Sequence, residues 1–267
     1  MEILLPVLFA LLGASVGSFL NVCIDRLPRD KSIVTPSSHC DSCQRRLSPR
    51  DLVPVLSYLL LRGKCRYCQS KIPLRPLLVE ITTGLLFALA YITFGLTLQL
   101  PLTLVYTSLF LVIGIIDLEH GLILNKITFP AAVTAILIDF FVPPPGITEI
   151  SSTWNGILSG VIGAVIGLTF LLIIYLVSFA IYKQEAMGLG DVKLAALIGL
   201  VVGSRLVLFS LLMGALLGGL VASGLLLFRI KGRKETIPFG SFLSLATIIS
   251  LFWGNQILDW YLGLYGF

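Results

Sequence analysis

The sequence predicts an all-α polytopic membrane protein of about eight transmembrane helices, with a separate loop domain after the first helix. Three observations predict it. Of 267 residues, 57% are hydrophobic and only 12% are charged, and the mean hydropathy of +0.99 lies far from the balance of a soluble domain. Apolar runs long enough to cross a ~30 Å hydrocarbon core recur along the chain. Lys and Arg gather between those runs in a pattern that gives the whole set one sidedness.

In chain order the spans fall at 3–22, 77–95, 98–117, 127–142, 156–181, 190–203, 205–228 and 237–254. The runs 127–142 and 190–203 are short for a crossing. The first run opens with Met1-Glu2, carries no basic n-region and shows no small-residue cleavage site, so it is expected to remain as an anchor. The segment after it holds Arg26, Arg29, Lys31, Arg45, Arg46 and Arg50, then Arg62, Lys64, Arg66, Lys71 and Arg75. By the positive-inside rule this loop is cytoplasmic and the N-terminus lies outside. Threading through eight spans then puts Lys126, Lys183, Lys193, Arg229, Lys231, Arg233 and Lys234 on or near the cytoplasmic side and leaves Arg205 outside. The net charge of +5 is accounted for by this sidedness and gives no reason to expect a nucleic-acid partner. The expected organisation is a first transmembrane helix at 1–22, a cytoplasmic four-cysteine domain at 23–76 and a membrane core at 77–267.

Within the loop stand two CxxC knuckles, "CDSC" at Cys40 to Cys43 and "CRYC" at Cys65 to Cys68. Cys40, Cys43, Cys65 and Cys68 supply four thiolates for one tetrahedral ion, a zinc-ribbon-like arrangement with a slightly wide gap. The alternatives are disulfides or four free thiols; a cytoplasmic location disfavours disulfides. A four-thiolate site is closed, so structural Zn2+ is expected, helping to fold a domain too small to bury much core. Cys23 at a helix end reads as an inert buried thiol. The apolar stretch 52–65, bounded by Asp51 and Arg62, is too short to span and is expected to pack on the ribbon or lie on the membrane surface.

Two acids stand apart from the rest. Asp117 ends the run "LFLVIGIIDLEHG" and Asp191 begins "DVKLAALIGLVVG", so the threading places both at the cytoplasmic ends of their helices, at similar depth. Ionisable groups at such depth are costly and are functional candidates by default. Gly188 and Gly190 precede Asp191 and allow close backbone approach, while a helix N-terminus favours an ionised Asp191. Two carboxylates within reach of each other cannot both ionise easily, so one keeps a proton while the other activates water, as aspartic peptide hydrolysis requires. Glu80 and Glu185 are supporting candidates or partners for basic neighbours. Lys193 either tunes the local potential or snorkels to the surface. His120 lacks a second ligand nearby and reads as a loop residue, while Asp139 and Asp259 read as interfacial acids at outer helix ends.

Six stretches together resemble the bacterial type IV prepilin peptidases: "GSFLNVCIDRLP" at Gly17 to Pro28, the two CxxC knuckles, "IPLRPLLVE" at Ile72 to Glu80, "IDLEHGLI" at Ile116 to Ile123, and "EAMGLGDVKL" at Glu185 to Leu194. The resemblance implies that Asp117 and Asp191 are the two catalytic aspartates, the second within a GxGD motif. It implies cleavage of the short basic leader of prepilins and pseudopilins after a Gly, at the cytoplasmic face of the inner membrane. It further implies methylation of the new N-terminus with S-adenosylmethionine, as in members with a long cysteine-bearing loop. Leu124 and Asn125 stand where the family often has Pro-Asp, so an acid at position 125 is dispensable here or its role has changed.

Three other readings share part of the pattern. A presenilin-like or preflagellin protease would use the same aspartates but is not expected to carry the CxxC loop. A proton-coupled transporter would use Asp117 and Asp191 as a relay, although transport sites usually lie near the midplane. A noncatalytic zinc-ribbon adaptor would bind prepilin and leave it uncut.

Overall fold

The computed structural model describes residues 3–142, 144, 153–183, 188–228 and 237–264. These form helices joined by short turns, and no strand is named among them. The chain divides into two units, Met1–Ser108 and Leu109–Phe267, with the boundary inside one helix.

In the first unit, α1 spans Leu4–Arg26, α2 Leu56–Leu60 and α3 Arg75–Phe94. The first helix runs past the span expected at 3–22 because nothing breaks it before the turn at Leu27–Arg29 with Pro28. α1 and α3 pack antiparallel, backbone against backbone, through small residues. A Cβ on Gly13 would lie 2.6 Å from Thr83 O, one on Gly17 2.8 Å from Glu80 Cα, and one on Gly84 2.9 Å from Ala10 O. Such small-xxx-small spacing lets helices approach where no hydrophobic force drives them together. Asp25 at the end of α1 pairs with Arg75 at the start of α3, at 2.6 Å.

α4, Gln99–His120, carries the unit boundary, and Gly121 stops it in the left-handed region at φ 64, a conformation in which only glycine is free of Cβ strain. The second unit continues with α5 at Asn125–Asp139, α6 at Thr153–Tyr182, α7 at Leu189–Leu227 and α8 at Phe239–Gly263. Six helices among the described residues are long and apolar enough to cross a membrane. The eight expected spans differ from these six in two places: α5 has only 15 residues, and two expected spans are merged in the 39 residues of α7.

The merged helix is in fact a reversal. A straight helix of 39 residues would be about 58 Å long, twice the hydrocarbon thickness. Gly203 interrupts it with φ 78 and ψ 173, a region essentially confined to glycine. The first half packs antiparallel on α6, with Gly163 against Gly199 and Gly167 against Ala195. The second half packs antiparallel on α8, with Leu206 against Gly254, Ser210 Oγ donating to Ser250 Oγ at 2.8 Å, and Gly218 against Phe242 and Phe239. Gly190 and Gly240, at the starts of α7 and α8, both meet Ile123. The start of α7 and Gly218 in its second half therefore both lie near the start of α8, and Gly203 lies at the opposite end beside Ser159. The apolar faces point outward, as at Leu85 (66% exposed) and Leu216 (68%), while Thr83, Ser210 and Ser250 are buried within, which suits lipid as the surrounding solvent.

Asp139 departs from its expected interfacial position. It is buried at the α5–α6 contact, against Gly160, and its Oδ2 finds no partner among the described residues. Position along a helix is legible in sequence, but the face is not. Asp259 does sit at the surface, paired with Arg205 at 2.5 Å.

Candidate active site and cysteine cluster

Asp117 and Asp191 belong to the same unit and are both buried. Each reaches its place through the start of a helix. Gly188 caps α7 in an extended conformation, φ −75 and ψ 141, and its carbonyl accepts the N–H of Asp191 at 3.1 Å. Asp191 is the third residue of the helix, in its first turn, and its Oδ2 lies beside Gly188, 3.8 Å from where a Cβ there would stand. Asp117, three residues before the end of α4, is held by α8. Ser241 donates its backbone N–H at 2.7 Å and its hydroxyl at 3.0 Å to the same atom, Asp117 Oδ2. Two helix N-termini thus face two carboxylates, and both favour negative charge there. The carboxylates interact electrostatically.

The glycines around them divide by what they touch. A Cβ at Gly190 would lie 3.1 Å from Ile123 Cβ, and one at Gly240 would lie 2.9 Å from Ile123 Cδ1 and 3.0 Å from Asp117 Oδ2. At Gly188 the nearest atom would be Asp191 Oδ2 at 3.8 Å, an ordinary contact. Close approach is therefore required at Gly190 and Gly240, and Gly188 serves as a cap. Lys193 is exposed and donates to Asn125 Oδ1 at 3.2 Å, tying α7 to α5 at the position where the family often has Asp. Glu185 lies outside the described residues. Glu80 belongs to the first unit, where its Oε2 accepts the N–H of Val55 at 2.7 Å.

In that same unit, Sγ atoms of Cys40, Cys43, Cys65 and Cys68 all lie within 4.8 Å of one another. Each knuckle is built alike. Cys40 N–H donates to Arg45 O and Gln44 N–H to Cys40 O, while Cys65 N–H donates to Ser70 O and Gln69 N–H to Cys65 O. Gln44 and Gln69 each turn the chain at positive φ, 56 and 60. Single antiparallel bridges, His39 with Arg46 and Lys64 with Lys71, flank them, a ribbon reduced to its turns. The Cys40 and Cys68 sulfurs are 3.8 Å apart, the edge of a tetrahedron whose centre is about 2.3 Å from each sulfur, which is the zinc–thiolate distance. The backbone N–H of Cys43, helped by hydrogen bonds from Ser42, Ser70 and Cys65, brings the Cys40 thiol down to about 6 against opposing burial, so one of the four sulfurs is readily a thiolate. Asp51 braces the second knuckle: its carboxylate takes Ser48 N–H and hydroxyl, Arg66 Nε at 2.6 Å and Tyr67 hydroxyl at 3.2 Å. Arg45 from the first knuckle lies over the Tyr67 ring at 4.3 Å, a cation–π contact between the two.

Residues 11–94 match the bacterial peptidase A24 N-terminal domain, and residues 104–223 match the type IV leader peptidase family. A Bacillus subtilis (strain 168) protein named prepilin leader peptidase/N-methyltransferase is 30% identical over 259 residues, covering 97% of this chain and 98% of its own. The chain belongs to the type IV leader peptidase family. Two other proteins of the same name, from Pseudomonas putida and Aeromonas hydrophila, are each 31% identical, covering 97% and 94% of this chain and 94% and 92% of their own. No solved structure matches.

As a leader peptidase family member, the chain holds two residues that its sequence did not single out. Ser241 and Gly240 do not stand out in sequence, because "PFGSFL" carries no titratable group. The only local signal was Pro-x-Gly-Ser ahead of an apolar run, which marks a helix start but not the carboxylate 124 positions earlier that it serves.

Proposed function

We propose that this protein is a membrane aspartic endopeptidase that removes the short basic leader of type IV prepilins or pseudopilins, with Asp117 and Asp191 as its catalytic pair. The observation that carries this reading is their convergence: two acids 74 positions apart in the sequence, one at the end of α4 and one at the start of α7, buried in one layer of one unit and each met by a helix N-terminus. The ionised member takes a proton from the attacking water. The protonated member polarises the scissile carbonyl and then supports protonation of the leaving amine. The pair titrates jointly, so the proton belongs to the pair.

Placement suits the substrate. A prepilin presents a positive leader in water and an apolar helix in the bilayer, so its scissile bond waits at the interface. In the proposed orientation the N-terminus is outside, and the cysteine loop and the dyad face the cytoplasm across the inner membrane, where the basic loop attracts anionic head groups. Burial of both acids at one end of the unit argues against a midplane proton relay.

Two further assignments belong to the same proposal. The four cysteines hold a structural Zn2+, supported by the 3.8 Å tetrahedral edge. The relatives' names carry N-methyltransferase, and on that ground the new N-terminal amine is methylated from S-adenosylmethionine, whose sulfonium supplies an activated methyl. Residues 1–22, 23–76 and 77–267 are then anchor, cytoplasmic metal domain and peptidase core.

Mass spectrometry of a prepilin co-expressed with the wild type and with Asp117→Asn or Asp191→Asn tests the reading. The wild type is expected to yield a product without its leader and each variant to yield none; normal processing by either variant ends the dyad mechanism. A further gain of about 14 Da on the product N-terminus marks methyl transfer.

A further inference from the structure

The stretch from Leu52 to Leu60 in the first unit turns its apolar side chains outward. α2 places Leu56, Leu59 and Leu60 at i, i+3 and i+4, one face of a helix, and they are 54%, 59% and 73% exposed; Leu52 and Val53, just before it, are exposed as well. The opposite face is the one that packs. Tyr58 donates to Ile72 O at 3.2 Å, and Ser57, Tyr58 and Leu61 are half-buried. In water such a helix is inside out, and an apolar patch of this kind marks a surface that something covers.

The point at which α2 is held says what covers it. Glu80 Oε2 accepts the N–H of Val55 at 2.7 Å. Val55 turns the chain at φ 61 and ψ −52, with Leu56 N–H donating to Pro54 O, a strained γ-turn, and Glu80 thereby fixes where α2 starts. Glu80 is the sixth residue of α3, roughly 7.5 Å along the axis from Arg75. Asp25 and Arg75 pair where α1 ends and α3 begins, which marks the water-facing border. Helical side chains lean toward the N-terminus, so the Glu80 carboxylate lies between its own level and that of Arg75. That is the boundary between head groups and acyl chains, where interfacial helices rest. On α3 itself Leu78 is 58% exposed at this level, as a lipid-facing residue is. Arg50 and Arg62 flank the leucines and are exposed, the cations that an interfacial helix carries beside its apolar face.

We infer that this stretch inserts into the bilayer surface, with Leu56, Leu59 and Leu60 among the acyl chains, and that Glu80 is the tether that holds it there. A five-residue helix is too short to bind a membrane alone, but a link to a spanning helix makes its contact intramolecular. Lipid is favoured over a prepilin as the occupant, because the tether sets the patch at the depth of the lipid-facing Leu78 and because Arg50 and Arg62 repel a basic leader. The contact adds to the attraction between the basic loop and anionic head groups, and differs from it in needing no anionic lipid. Asp51, next to Leu52, holds Arg66 of the second knuckle at 2.6 Å, so insertion also keeps the cysteine cluster at the membrane.

The test is photocrosslinking of the full chain in phosphatidylcholine vesicles with a prepilin co-reconstituted. p-Benzoylphenylalanine replaces Leu59, Leu60 or, as a control on the first knuckle, the exposed Asp41, and monodisperse elution before reconstitution is the fold control. Mass spectrometry is expected to find acyl-chain adducts at positions 59 and 60 and none at 41. Adducts at 59 and 60 that are no more abundant than at 41, that appear only once phosphatidylglycerol is added, or that join the prepilin or a second copy of the chain would each overturn insertion. The tether is read separately. In Glu80→Leu, amide exchange across residues 55–60 in the same vesicles is expected to quicken roughly tenfold, the effect of one charge-assisted hydrogen bond on a local opening equilibrium; exchange as slow as in wild type would overturn the role of Glu80.

Discussion

Ser241 and Asp117 meet through a single carboxylate oxygen: the backbone N–H and the side-chain hydroxyl of Ser241 both reach Asp117 Oδ2, at 2.7 and 3.0 Å. The hydroxyl is also 2.9 Å from Gly114 O. One hydroxyl carries one proton, so it is shared between two acceptors, and the N–H is the constant donor. Both donors go to Oδ2, and Oδ1 of Asp117 takes no hydrogen bond among the described residues. Ser241→Ala keeps the N–H and loses the shared bond, for which about 1 kcal/mol is the ordinary cost. Leader cleavage is expected to slow by roughly three- to tenfold in kcat with KM unchanged. Steady-state kinetics on a prepilin peptide check it, and a rate equal to wild type would show that the hydroxyl contributes nothing.

The three glycines near the pair should not respond alike. A Cβ at Gly240 presses on Asp117 itself, one at Gly190 presses on Ile123, and one at Gly188 meets nothing closer than 3.8 Å. Overpacking of this kind costs about 1–3 kcal/mol. Cleavage is expected to fall most for Gly240→Ala, next for Gly190→Ala and least for Gly188→Ala, measured at matched membrane levels. Equal loss at Gly188 and Gly240 would contradict the assigned contacts.

The order of those glycines illustrates what sequence can carry. Spans were legible because lipid demands long apolar helices whatever their packing, and the cysteine cluster because CxxC spacing fixes two ligands locally. Asp117 and Asp191 were legible because ionisable groups are so few in these helices. Their meeting was not, since it depends on α8 starting beside the end of α4. Asp139 departs from its expected position for a related reason: its depth follows from the sequence, while its burial against Gly160 follows from how α5 and α6 pack. The glycines of "GLGD" were recognised together, yet only Gly190 is confined by a neighbouring side chain.

Asp51 should govern how firmly the knuckles hold together. Burial alone would raise its carboxyl, but hydrogen bonds from Ser48, Arg66 and Tyr67 outweigh it and bring it down to about 2. A group depressed on folding stabilises the fold above its unfolded value, near 4, and that contribution is lost as pH falls from there toward about 2. Asp51→Asn is expected to raise deuterium uptake across residues 45–70 at pH 7, where wild type is protected. Acidification from about 4 to 2 should remove protection from wild type and change little through this position in the variant.

The cysteine cluster predicts a stoichiometry. Four sulfurs around one tetrahedral centre hold one ion, and removal of a ligand leaves three. Freshly purified wild type is expected to contain one Zn2+ per chain by elemental analysis. Cys40→Ser or Cys65→Ser should contain far less, with increased deuterium uptake across both knuckles. Full metal content in Cys40→Ser would mean that the ion is held elsewhere.

Gly203 sets the path of the longest helix, and its replacement should cost more than loss of the ion pair beside it. Arg205 and Asp259 join the two helices at this end at 2.5 Å, but their side chains are 33% and 55% exposed, and such a pair is worth about 0–1 kcal/mol. Gly203 holds φ 78 and ψ 173, where a side chain is strained by about 1–3 kcal/mol. An added Cβ would also lie 2.9 Å from Ser159 Oγ and 3.1 Å from Pro144 Cβ, closing the space that the reversal needs. The strain has an alternative outlet, because ordinary helical angles at this position would straighten α7 and pull its second half off α8. Gly203→Ala is therefore expected to lower thermal stability in detergent by more than Arg205→Ala does, and to reduce leader cleavage although the residue lies at the opposite end of the unit from the aspartates. Thermal melts of both variants, paired with cleavage assays, check this; a Gly203→Ala protein as stable and active as wild type would exclude a glycine-dependent reversal.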